Sequence, residues 1–145
     1  VDWQATHESD DYVIMQDFLD VVKAAGLDNV VDNNVSGAEV SVTCAYWRKA
    51  NQIHGWFVEN VQDGEDDCKE YYVTLEGLKD LRKVCQEALD KKDPSLIQPR
   101  EGCFFGGYDI DQYYWGDLME TIKMLDRVIN QPDVEKLSFY YQSSW

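Results

Sequence analysis

Hydrophobic positions recur at the helical period of 3.6 in four stretches of the chain and alternate in two shorter ones. In SDDYVIMQDFLDVVKAAG, the residues Val13, Ile14, Phe18, Leu19 and Val22 share a face. Ser9 or Asp10 can cap that helix and Gly26 stops it, while the early acids and the late Lys23 suit its dipole. A second helix is predicted from about Tyr46 to Val61, with Tyr46, Ala50, Ile53, Phe57 and Val61 as its apolar stripe. Thr74 is the expected N-cap of a third, LEGLKDLRKVCQEALDKK, which gathers Leu75, Leu78, Leu81, Val84, Cys85 and Ala88. The fourth, DQYYWGDLMETIKMLDRVINQ, begins near Asp111, stops before Pro132 and carries Tyr114, Leu118, Ile122, Leu125 and Ile129.

The alternating stretches predict strands. Val40, Val42 and Cys44 alternate with Ser41 and Thr43 after the turn residues Asn33, Asn34 and Gly37. Near the end, Leu137, Phe139 and Tyr141 alternate with Ser138, Tyr140 and Gln142, and this strand could pair with residues 39–45. YYVT, at 71–74, fits a short strand or a docking turn. Pro94 and Pro99 bracket the longest loop, which runs through REGCFFGGYDIDQ. About four helices packed with a small antiparallel sheet make an α+β fold, and a chain of 145 residues without repeats or linkers suggests one domain, 1–145.

The second helix is where chemistry could lie. Trp47, Asn51, His54 and Val58 form the row beside its apolar stripe; Arg48, Gln52, Gly55 and Glu59 are expected to face away. Two arrangements fit. In one, Asn51 and His54 hydrogen-bond to a buried loop. In the other they line a cleft, with Trp47 as a stacking plate, Arg48 or Lys49 as a charge, and Phe104, Phe105 and Tyr108 of the glycine loop opposite.

Composition narrows the function classes. Hydrophobic residues make up 44% and aromatics 13%, a globular balance, and no apolar run is long enough to span a membrane. The opening VDWQATHESDDYV lacks the basic and apolar regions of a signal peptide, so a soluble, intracellular protein is expected. Thirteen basic against 28 acidic residues give −15, and residues 1–46 hold nine acids against Lys23 alone. Such a surface repels phosphates, which disfavours direct nucleic-acid binding; it suits solubility, or docking on a basic protein through an acidic face such as Asp10, Asp11 and Asp17.

Cys44, Cys68, Cys85 and Cys103 form no CxxC pair, and His7 and His54 are the only histidines, so no closed zinc site and no cofactor is expected; reduced, mostly buried thiols are. Asp63, Glu65, Asp66 and Asp67 lack the order of an EF-hand, and a solvated loop that ends the second helix is the expectation. Neither GxxxxGK[ST] nor GxGxxG occurs. Any nucleophilic site would have to use His54 or His7.

The segment YWRKANQIHGWFVENVQDGEDDCKEYYV, with CFFGG later and the closing FYYQSSW, resembles a family of small uncharacterised bacteriophage and prophage proteins. The resemblance covers roughly residues 44–145; the first forty or so lie outside it. It implies viral origin and action in the cytoplasm of an infected bacterium, and it implies no particular reaction. Together with the charge it leads to the expectation of a non-enzymatic accessory protein that binds and blocks a host protein, with a bacterial defence component as the target class. The alternatives are a binder or sponge for a small nucleotide-like ligand, and a small enzyme using His54.

Overall fold

The computed structural model describes residues 19–27, 41–100 and 109–144. The chain divides into two units, Val1–Val42 and Thr43–Trp145. In the first, residues 19–24 are helical (α1). The helix closes as its residues predict: Gly26 takes φ +69, its N–H donates to the Lys23 carbonyl, and the Leu27 N–H donates to that of Val22. A residue with a Cβ resists that left-handed turn, so glycine belongs there. Val22 is buried while Leu19, expected on the same face, is exposed. Val13, Ile14, Phe18, the turn at 33–37 and the acidic residues Asp10, Asp11 and Asp17 lie outside the described residues.

In the second unit the order is α2 (Asn51–Asn60), β1 (Tyr71–Val73), α3 (Leu75–Lys91), a 3-10 turn at Pro94–Leu96, α4 (Gln112–Ile129), a 3-10 turn at Val134–Lys136, and β2 (Phe139–Tyr141). With its helices and its small antiparallel sheet the architecture is α+β. α3 and α4 follow their periodicities. The Thr74 side chain accepts the Gly77 N–H, and Asp111 accepts those of Tyr113 and Tyr114, so each helix starts on a side-chain cap. Leu78, Leu81, Cys85 and Ala88 of α3 meet Tyr114, Leu118, Leu125 and Val128 of α4 in one apolar core. Each fully buried large side chain there contributes about 1.5–3 kcal/mol. Arg82 adds a two-pronged ion pair to Asp126 across the helix pair, at 2.7 and 3.2 Å, half exposed and so a minor contributor.

Three expectations are corrected. The second helix starts at Asn51, five residues later than predicted. Lys49 has φ +61, a left-handed conformation that no α-helix can pass through, and Ala50 precedes the helix without a side-chain cap. Tyr46 is therefore 72% exposed and no part of the apolar stripe. The second correction concerns faces: Gln52 and Gly55, expected to face away, are buried. A Cβ at Gly55 would stand 2.9 Å from the Cβ of Arg100, so the segment after the 3-10 turn at 94–96 covers that side of α2. Lastly, residues 41–45 form no strand; YYVT supplies one instead, and β2 pairs with it antiparallel in the register Tyr71–Tyr141, Tyr72–Tyr140, Val73–Phe139. Leu137 lies before β2 and is exposed.

Phe57 and Tyr46 separate the two registers of α2. Replacing Phe57, 1% exposed, by Ala should cost about 3–5 kcal/mol in denaturant unfolding, whereas Tyr46→Ala should stay within about 0.5 kcal/mol. Equal costs would restore the longer helix.

Candidate functional site

α2 runs through the interior, with Asn51 to Gly55, Phe57 and Val58 all buried. Its polar side chains must therefore find partners within the protein. Gln52 donates to Asp117 Oδ2 at 3.1 Å and more weakly to the Tyr114 carbonyl at 3.4 Å. Burial holds the Asp117 carboxyl above the usual carboxylate range, against the opposing hydrogen bond from Gln52. Just before α2, the indole N–H of Trp47 donates to Thr121 Oγ1 at 2.9 Å, and that hydroxyl donates to the Asp117 carbonyl at 2.7 Å. Trp47 is thus half-buried, tied to α4 and tilted against Phe57 at 5.6 Å between ring centroids.

His54 lies at the centre of the arrangement, 4% exposed. Its Nδ1 is 2.8 Å from the Tyr141 hydroxyl of β2, and its Nε2 is 3.0 Å from Asp66 Oδ2 in the loop after α2. A carboxylate oxygen accepts, so a proton on Nε2 serves Asp66, and Nδ1 lies within hydrogen-bond reach of the phenol. Tyr141 also stacks flat on Phe57, 3.8 Å between centroids and 6° between planes. The chain Asp66–His54–Tyr141 has the order of a relay that activates a nucleophile, but its end group is not activated. Burial raises the Tyr141 phenol well above its ordinary value, and the nearby Asp66 and Cys68 raise it further. A phenol held protonated and stacked on Phe57 serves as a hydrogen-bond donor, and this triad joins three segments rather than opening to a substrate.

The acid loop divides its labour. Asp66 turns in to His54. Asp67 accepts from the Tyr71 hydroxyl at 3.0 Å and pairs with Lys69 at 2.6 Å, the contact that most holds its carboxyl below the usual range. Left-handed backbone at Asp63, Gly64 and Cys68 makes the turns that bring these side chains round. The loop ends α2 as predicted, but half of it is fastened to the interior. Among the described residues no group of three or more His, Cys, Asp or Glu side chains is placed to hold a metal.

Of the residues singled out in the sequence, Trp47, Asn51 and His54 come together around the start of α2, all wholly or half buried, while Arg48 and Lys49 are exposed beside them. Phe104, Phe105 and Tyr108 lie outside the described residues. Nothing in the sequence ties Thr121 or Asp117 to this helix. Asp66 stood out only as a member of the acid run, and Tyr141 only as an inward position of the final alternating stretch. Cys44 is exposed, contrary to the expectation of mostly buried thiols; Cys68 is half-buried and Cys85 fully buried. In comparisons with protein-family models, curated proteins and solved structures the chain has no match.

His54→Ala should take a buried partner from both Asp66 and the Tyr141 hydroxyl, costing about 1–3 kcal/mol, a fall in Tm of about 3–12 °C. Tyr141→Phe keeps the stack and should cost about 1 kcal/mol. A thermally silent His54→Ala would show that the network is not structural.

Alkaline pH tests the core. Burial pushes the Cys85 thiol from 9.0 up to about 12, and Tyr114 rises from 10.0 to about 12, by burial first and then by the nearness of Cys85 and Asp93. Both groups are neutral when protonated, so the folded state holds these protons more tightly than the unfolded chain does. Their contribution to stability is complete below about pH 9 and is lost as the pH rises towards 12. Unfolding curves from pH 8 to 11 should show this decline, and Cys85→Ala should make it shallower.

Proposed function

We propose that the chain is a bacteriophage accessory protein that works by binding: it docks on a host protein in the bacterial cytoplasm, a defence component, and blocks it without turning over a substrate. The observation that carries this reading is where the reactive side chains are spent. Both ring nitrogens of His54 are engaged by Tyr141 and Asp66, and Cys85 is sealed in the core as a thiol. What faces solvent is charge, −15 over the chain, and several large tyrosines, among them Tyr46, Tyr72 and Tyr140. Such a surface favours a basic protein partner over nucleic acid. The viral origin rests on the resemblance carried by residues 44–145. No helix among the described residues is long and apolar enough to cross a membrane, in keeping with a site of action in the cytoplasm.

The test is affinity capture from a bacterial lysate, followed by titration of the purified partner. Binding should saturate at one chain per partner site and weaken steeply with salt, because exposed charges are screened beyond about 8–10 Å at physiological ionic strength. Reversing Asp10, Asp11 and Asp17 to Lys should slow association without unfolding the protein. Salt-independent binding, or catalytic turnover of a small substrate, would overturn the reading.

A further inference from the structure

The two-stranded sheet has an inner and an outer face, and the chemistry of the outer one is unusual. Tyr71, Val73, Phe139 and Tyr141 are half-buried or buried. Their alternates Tyr72 and Tyr140 face each other across the strands on the opposite side, 58% and 56% exposed, with ring centroids 5.8 Å apart and planes at 72°. The inner face ties the sheet to α2, and outside it these two rings add a cross-strand pair of their own. Beside them in the sequence, Thr74 and Ser138 are exposed residues with small polar side chains.

The electrostatic setting is one-sided. Residues 59–76 carry seven acids against one base, Lys69. That base is already paired with Asp67, and Lys136, just before β2, is paired with Asp133. Glu59, Asp63, Glu70 and Glu135 are exposed and make no ion pair among the described residues. Two exposed π faces on strands flanked in the sequence by unpaired acids suit a cation with a flat, weakly hydrated head, which is guanidinium rather than ammonium. The same surplus disfavours the other partners that aromatic faces attract. Nucleic acid and anionic membrane are repelled, and so is a second copy of a chain carrying −15.

We propose that the Tyr72–Tyr140 face is the docking surface for a basic protein partner, with arginine side chains of that partner laid on the two rings. The proposal rests on the binding reading above and supplies its contact point. An exposed tyrosine pair is rigid and amphipathic, so it gains contact area at little entropic cost, which is how tyrosine dominates binding surfaces elsewhere.

The test uses the isolated protein and defined peptides, so it does not depend on finding the host partner. An arginine-rich nonapeptide is titrated into the full chain at moderate salt, followed by NMR with labelled tyrosine rings, and a lysine-rich peptide of equal charge is run in parallel. The arginine peptide should move the Tyr72 and Tyr140 ring signals, and ring currents should shift its own arginine δ protons upfield. It should bind about five- to tenfold more tightly than the lysine peptide, and Tyr72→Ser with Tyr140→Ser should remove that advantage. Tyr72→Phe with Tyr140→Phe keeps the rings and should retain it, which separates loss of the surface from damage to the sheet. Equal binding of the two peptides with unmoved Tyr72 and Tyr140 signals would overturn the docking surface and leave the broader binding reading standing. Self-association through this face in the absence of peptide, seen by sedimentation, would overturn it as well.

Discussion

The fold of the larger unit closes on Tyr141. β1 and β2 are three residues each and lie far apart in the chain, with α3 and α4 between them. So short a pair of strands is marginal in water by itself and must be held by what it packs against. Tyr141 supplies that hold twice over, since its ring lies flat on Phe57 at the centre of the core and its hydroxyl reaches His54. His54 passes the connection on to Asp66, so α2, the C-terminal strand and the loop between α2 and β1 are joined by one side chain in the middle. Gln142 strengthens the same junction from outside by donating to the Cys68 carbonyl.

How much of this could be read from the sequence depended on how each element meets water. α3 and α4 each have one wet and one dry face and begin on a side-chain cap, so period and cap together placed their ends within a residue or two. α2 has no wet face to speak of. A helix buried nearly all round loses its period, and its polar residues Asn51, Gln52 and His54 then read as an exposed or half-exposed row. Its start was lost for a different reason. Trp47 is drawn to Thr121 by a hydrogen bond across 74 residues, and Lys49 turns left-handed to let the chain follow, so tertiary contact overrode local propensity. The predicted strand is likewise absent over its described residues 41–44, because alternation shows that a segment could lie in a sheet and says nothing of which partner is free.

The site was legible as a set of residue types and not as a geometry. His54 and Asn51 stood out as polar groups beside an apolar stripe, and two readings were open, a cleft or a buried tie. Distances favour the tie: 2.8 Å to Tyr141 and 3.0 Å to Asp66 from a ring that is 4% exposed. Neither partner could be chosen from the sequence, since nine tyrosines and 28 acids were available. The acid loop shows why charge runs are hard to interpret. Asp66 serves the interior, Asp67 pairs with Lys69 and Tyr71 at its edge, and Asp63 and Glu70 serve the surface, although all four look alike in composition.

A buried imidazole between a phenol and a carboxylate is an expensive way to fill a core. An apolar trio of similar volume can be as stable or more so. What the polar trio adds is direction. The pairing of β1 with β2 could slide by two residues and keep the same alternation, which would bring Phe139 or the half-buried Ser143 to the place of Tyr141. Neither could satisfy His54 while covering Phe57: phenylalanine has no hydroxyl, and serine has no ring. Only Tyr141 meets both demands, so every other register takes the phenol away from the buried Nδ1 of His54 and is penalised for it. Fixing that register also fixes the outer face, because Tyr72 stands opposite Tyr140 only when Tyr71 stands opposite Tyr141. The polar groups in the core and the aromatic pair on the surface are therefore two consequences of one alignment.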